Sequence, residues 1–257
     1  MWWTGEMSVT EQRPTQPALR LYRDTGAKPS AGLHPNGVNH LALSTADMKG
    51  QLTFFAEVLG CPTRALYWMH GVANTFHGFV ELADDSYIAF VQAPGNPTEP
   101  IWGVTHSGNA GDSVTAGTMQ HLALNVDSID DVLTMRDRIR SHGIQVLGPL
   151  DHGMIQSIYF AGPEGLSLEV CTGRDIDERQ WIDPEVQGLC GISADELQGL
   201  TSPAGFERPD QPVAQPAHDE SLPQMHYPAP VRDYLMGMPD ADVWNNLSES
   251  TPPVALD

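Results

Sequence analysis

Basic side chains are scarce: 13 Lys and Arg stand against 33 Asp and Glu in 257 residues, a formal charge of −20. Such a surface repels nucleic-acid phosphates and anionic lipid headgroups, so neither is expected as a partner. Cysteine is scarcer still. Cys61, Cys171 and Cys190 are odd in number, far apart and without a CxxC pair, which argues against a disulfide scaffold or a structural zinc site. No apolar run approaches the ~20 residues of a membrane helix, and the opening MWWTGEMSVTEQRP lacks the basic start and apolar stretch of a secretory leader. A cytoplasmic protein is the expectation. Its partners are then a small molecule and further copies of the same chain, as a homodimer or higher homo-oligomer.

What is present is enough apolar residue, 40 %, for a packed core. The acidity is uneven. Residues 173–257 hold sixteen Asp or Glu against four Arg, together with eleven of the 21 prolines. That composition predicts an extended, turn-rich arm with short helices near 193–200 and 231–238. The large apolar groups of MHYPAPVRDYLMGMP (225–239) predict that the arm packs on the body or on a neighbouring subunit. Residues 1–36 read as a shorter N-terminal extension of the same kind.

Between the tails the chain repeats itself. HLAL occurs at 40–43 and again at 121–124, each time in a stretch that alternates as a strand does. After the first copy, 45–61 has a Thr/Asp start, apolar residues at helical spacing and a stop at Gly60; after the second, 127–144 has the same layout with a stop at Gly143. Three strand-like stretches follow each helix, at 63–69, 74–82 and 86–92, and at 144–148, 154–160 and 166–171. The chain is therefore expected to be α+β, with two βαβββ modules at 37–93 and 118–172 joined by a Gly-rich loop at 94–117.

The alternation places His40 and His121 on the polar faces of their strands. In GLSLEVCT (165–172), Glu169 shares its face with Ser167 and Cys171, opposite Leu166, Leu168 and Val170. A lone carboxylate on a buried apolar strand needs a partner. Two imidazoles and one carboxylate match the facial triad that holds an iron(II)-type ion and leaves positions open for substrate and dioxygen. His40, His121 and Glu169 are the expected metal ligands.

This arrangement resembles the vicinal oxygen chelate superfamily, which includes glyoxalase I, fosfomycin-resistance proteins and the type I extradiol ring-cleaving dioxygenases. The resemblance covers about residues 37–172. Glyoxalase-like members take a fourth ligand, usually a carboxylate, from the last strand of the first module. Here that strand is SYIAFVQA (86–93), where Ala89 or Phe90 falls opposite Glu169 and Gln92 is the one polar residue nearby. A three-ligand set is similar to the extradiol enzymes. Their signature is also matched in order by His152, Ile158–Tyr159, Pro163, Gly165 and Glu169, with departures at Leu150 and Gly162.

The resemblance implies an Fe(II)-dependent dioxygenase that cleaves a catechol-like aromatic ring with O2, His77 acting as acid/base and His152 and Tyr159 holding substrate or oxygen. A non-oxidative lyase or isomerase on zinc, nickel or manganese is the first alternative. A metal-free binding protein is the second. Trp68, Phe79 and Trp102 fit an aromatic ligand, and loop 94–117 has the length and glycine content of a lid.

Overall fold

The computed structural model describes residues 34–256. The N-terminal extension read from the sequence lies outside the described residues, apart from 34–36. Eight strands form two four-stranded sheets. In the first, β1 (His40–Ser44), β4 (Ser86–Gln92), β3 (Phe76–Ala83) and β2 (Thr63–Trp68) lie side by side in that order. In the second the order is β5 (Leu122–Asn125), β8 (Ser167–Gly173), β7 (Ile155–Ala161) and β6 (Val146–Asp151). The first and last strands of each module run parallel, and every other pair is antiparallel.

Each module folds its helix onto one side of its sheet. Helix α1 (Met48–Thr53) starts at Asp47, whose carboxylate accepts from the Gly50 amide, and widens into a π turn over Phe54–Val58. Helix α2 (Ile129–Ser141) starts at Ser128, which accepts from the Asp131 amide. The predicted stops are real: Gly60 and Gly143 have φ of 81° and 80°. The helix-facing residues of both sheets, among them Leu43, Phe90, Leu124, Ile158 and Leu168, join with Phe55 and Val132 in one continuous core. The leucines of HLAL belong to that core, at Leu43 and Leu124 most deeply.

Two polar links tie the halves together. From α2, Arg138 donates to the carbonyls of Val58 and Glu57 at 2.8 and 2.9 Å, closing the end of the π turn. At the other end of the seam, Glu164 of the Pro163–Gly165 turn receives Thr45 Oγ1, the Ala46 amide and Gln51 Nε2 at 2.5, 2.7 and 2.7 Å. Glu164 sits at φ 54°, a left-handed conformation that costs a non-glycine residue about 1 kcal/mol, so its carboxylate must return more than that. The sequence signature names Pro163 and Gly165 on either side of Glu164 and assigns nothing to Glu164 itself.

Loop 94–117 is folded onto the body. Trp102 and His106 pack over Gly165, and Ser107, 4 % exposed, donates to the Gln120 carbonyl at 2.5 Å. In this position the loop braces the seam between the modules.

The arm holds a 3-10 turn at Glu178–Trp181 and four short α-helices, α3 (Pro184–Leu189), α4 (Ala194–Thr201), α5 (Ala229–Met236) and α6 (Asp240–Leu247). Helices α4 and α5 fall where the sequence predicts helices. The arm touches the body at Trp181, which lies against Gly153; at His70, whose Nδ1 meets the Glu249 carbonyl at 3.0 Å; and at Pro253, beside Leu66, Trp68 and Phe76. Among the described residues, none after Thr172 is buried. No described helix is long and apolar enough to cross a membrane.

Burial alone would raise the Glu164 pKa, but the bonds from Thr45, Gln51 and Ala46 outweigh it and hold the carboxyl below its ordinary 4.5. The unfolded chain therefore binds this proton more readily. The contribution of Glu164 is complete above about pH 4.5 and is lost as pH falls through the lower folded value. Glu164→Gln is expected to lower the unfolding free energy at neutral pH by about 1–2 kcal/mol, discounted for partial exposure, and to flatten its fall under acid. Urea unfolding across that pH range measures both, and wild-type stability in the variant would remove Glu164 from the seam.

Candidate metal centre

Register identifies the counterpart of Glu169. The third residue of each HLAL pairs with the final strand of its module, Ala42 with Ala89 and Ala123 with Glu169. Ala89 therefore occupies the position equivalent to Glu169. Gln92 is not a substitute ligand: it lies three residues on, on the helix side, where its Oε1 accepts from the Met48 amide at 2.9 Å.

Glu169 is 1 % exposed. Its Oε2 lies 3.0 Å from His121 Nε2, and its Oε1 is buried without a hydrogen-bond partner. His121 immediately precedes β5, and its Nδ1 bonds to Oε1 of Gln120. An amide oxygen only accepts, so Nδ1 carries the hydrogen and the Nε2 lone pair faces Glu169. Two lone-pair atoms at 3.0 Å require a proton or a cation between them. Two ligands at about 2.1 Å from one ion and at right angles to each other would be separated by about 3 Å.

His40 opens β1 on the corresponding face of the first sheet. Its Nδ1 bonds to Asn39 Oδ1 at 2.8 Å, and its ring meets Phe79 edge-on at 5.7 Å. His40 stands apart from the other pair. Among the described residues no three His, Cys, Asp or Glu side chains are grouped closely enough to hold one ion. The buried pair fits a divalent ion, with one carboxylate oxygen and one imidazole nitrogen presented together. The structure does not bring His40 into their group.

The remaining sequence-predicted residues divide between the sheets. His77, on β3, lies in an aromatic layer with Phe79, at 4.5 Å between centroids, and Tyr67, whose hydroxyl is 3.4 Å from His77 Nδ1. Its Nε2 is buried and unpartnered; burial, then the charge of His40, lowers the His77 pKa. On the second sheet, Tyr159 on β7 pairs in register with Glu169, and its hydroxyl meets His152 Nε2 at 2.9 Å. Burial first, with the Glu169 charge adding to it, raises the Tyr159 pKa and keeps the phenol protonated. Cys171, pushed up for the same two reasons, remains a thiol.

Phe79 lines this face as expected. Trp68 does not: it packs on Phe76 at 4.7 Å on the opposite side, over the groove beside α1. Trp102 belongs to the loop over Gly165. Tyr67 escaped the sequence reading, although its alternation with Trp68 on β2 places it on the His77 side. Between the modules lies a cavity of about 250 Å3, bounded by Ser44, His106, Gln120, Glu164 and Ser167, among others. Ser44 and Ser167 lie on the strand faces that carry His40 and Glu169, but His40, His121 and Glu169 do not line this space.

A buried carboxylate with one unpartnered oxygen weakens the metal-free fold. Glu169→Met is expected to raise the metal-free unfolding free energy by about 1–3 kcal/mol. It should also abolish any rise in melting temperature on adding iron(II), manganese(II) or zinc(II). Differential scanning calorimetry with and without metal reads both effects; a destabilised variant that still gains from metal would contradict them.

Biphenyl-2,3-diol 1,2-dioxygenase 2 of Rhodococcus globerulus is 26 % identical over 132 residues, 51 % of this chain and 60 % of that protein. The iron-dependent extradiol dioxygenase of Rhodococcus jostii (strain RHA1) is 27 % identical over 162 residues, 58 % of this chain and 47 % of that one. The chain thus spans about half to three fifths of the length of these relatives. A solved glyoxylase/bleomycin resistance protein/dioxygenase domain from Frankia sp. EAN1pec matches 55 % of this chain and 100 % of its own length, with a TM-score of 0.44 and 18 % identity. The family profile matches residues 37–170, both modules from the first HLAL strand to β8. The chain belongs to the Glyoxalase/Bleomycin resistance protein/Dioxygenase superfamily.

Proposed function

We propose that the chain is a divalent-metal dioxygenase that cleaves a catechol-like ring beside its two hydroxyls. One observation carries this reading above the others. The register puts Ala89 at the first-module position equivalent to Glu169, so the fourth, carboxylate ligand of glyoxalase-like members has no counterpart. The involvement of Gln92 at the start of α1 removes the remaining polar substitute, which weighs against the lyase or isomerase reading. The names of the two Rhodococcus relatives point the same way.

His121 and Glu169 would hold the ion, with His40 as the third donor implied by the repeat. When bound, an iron(II)-type ion would chelate both substrate oxygens and bring dioxygen beside them. The protein's own part is positional and protonic. Phe79 and Tyr67, stacked at 7° between ring planes, offer an apolar wall to an aromatic ring. His77, neutral by virtue of its lowered pKa and with Nε2 lacking a protein partner, is suited to take and return a proton. Tyr159, held as a phenol and joined to His152, is suited to donate a hydrogen bond across the site.

The test is anaerobic loading with iron(II) followed by catechols and air. Oxygen uptake with a yellow ring-fission product is expected. His77→Ala should lower kcat by about 10²–10⁴ while substrate still binds. Bound iron without oxygen uptake across a broad catechol panel would overturn the reading, and ligand binding that survives loss of His121 and Glu169 would favour a metal-free binding protein.

A further inference from the structure

The residue before each HLAL is an amide, Asn39 in the first copy and Gln120 in the second, and each amide oxygen takes the Nδ1 hydrogen of the histidine that follows. In the second copy the amide is itself fixed. Gln120 Nε2 donates to the carbonyls of Asn109 and Asp112 at 3.1 and 3.0 Å, and its own backbone carbonyl accepts from Ser107. Two backbone acceptors on one side force the NH2 group toward loop 94–117, which leaves only the oxygen to face His121. The ring then has no choice of tautomer.

We infer that Gln120 is a positioning residue: it fixes His121 with its Nε2 lone pair toward Glu169, and it makes that orientation depend on loop 94–117. The reasoning rests on the metal reading above and extends it from the donors to what holds them. Without the amide oxygen, the acceptor nearest the ring is Glu169 at 3.0 Å. The imidazole hydrogen would then move to Nε2, where it occupies the place a cation needs. The loop thus acts on the site through one side chain, without covering it.

The test uses the full-length protein with two readouts. Long-range 1H–15N correlation of the histidine rings, on metal-free protein, reports whether His121 carries a hydrogen on Nδ1. Anaerobic titration with iron(II) reports affinity. Wild type should show the Nδ1 hydrogen. Gln120→Leu should lose it and bind iron(II) about 10–100-fold more weakly, the range for removing an outer partner of a ligand histidine. Gln120→Glu retains an acceptor for Nδ1 but has no donor for the Asn109 and Asp112 carbonyls. It should keep the ring signal while loop 94–117 loses hydrogen-exchange protection.

Wild-type affinity and ring signal in Gln120→Leu would overturn the inference and leave the metal reading standing. A wild-type protein with the Nδ1 hydrogen but no affinity for iron(II) would overturn the metal reading alone. Should Gln120→Leu fail to fold, Gln120→Glu decides: loss of its Nδ1 signal, or an undisturbed loop, counts against the inference.

Discussion

The arrangement turns on one carboxylate that water cannot reach. Glu169 is buried on an apolar strand with a single imidazole against one oxygen and no hydrogen-bond donor for the other. A site of this kind weakens the metal-free fold, and a bound cation would offset that cost. Around it the groups are ordered by what they can give. His121 offers a lone pair, Tyr159 a hydroxyl hydrogen, and Cys171 a thiol that burial and the neighbouring charge keep protonated.

The fold is a duplication whose two halves have been put to different uses. Both supply a strand, a helix and an apolar layer to one core. Beyond that they diverge. The second carries the buried acid; the first carries an alanine there and, on its neighbouring strands, an aromatic layer with His77. Glu164 and Arg138 each reach from the second half into the first, so the seam is held from one side by charged groups that meet backbone and amide partners.

The parts legible in the sequence were those governed by periodicity. The HLAL strands, the helix starts and the glycine stops follow from local rules, and every strand of the body lies within a few residues of its expected span. The face of Glu169 followed from alternation. What alternation could not give was which residue across the first module stands level with it, because that depends on pairing register, and Ala42 opposite Ala89 settled it. Glu164 was missed because the pattern of a Pro-x-Gly turn leaves its middle residue free, whereas tertiary contacts there demand an acceptor in a left-handed conformation. Trp68 counts among the aromatic residues that fit a ligand, yet alternation along β2 separates it from the site: Tyr67 pairs with His77, and its neighbour Trp68 turns to Phe76 on the other side. The grouping of His40 with the other two donors follows from the symmetry of the repeat, while its ring packs edge-on against Phe79, apart from the His121–Glu169 pair.

A side chain at Gly153 would begin 2.6 Å from the ring of Trp181, so the absence of one is what lets the root of the C-terminal arm lie flat on the turn that follows His152. The turn is thereby anchored twice, once by β6 and β7 and once by a residue from beyond the last strand. Its freedom to fluctuate is set in part by chain that contributes nothing to the core. The position of the His152 turn therefore depends on the arm's attachment as well as on the sheet.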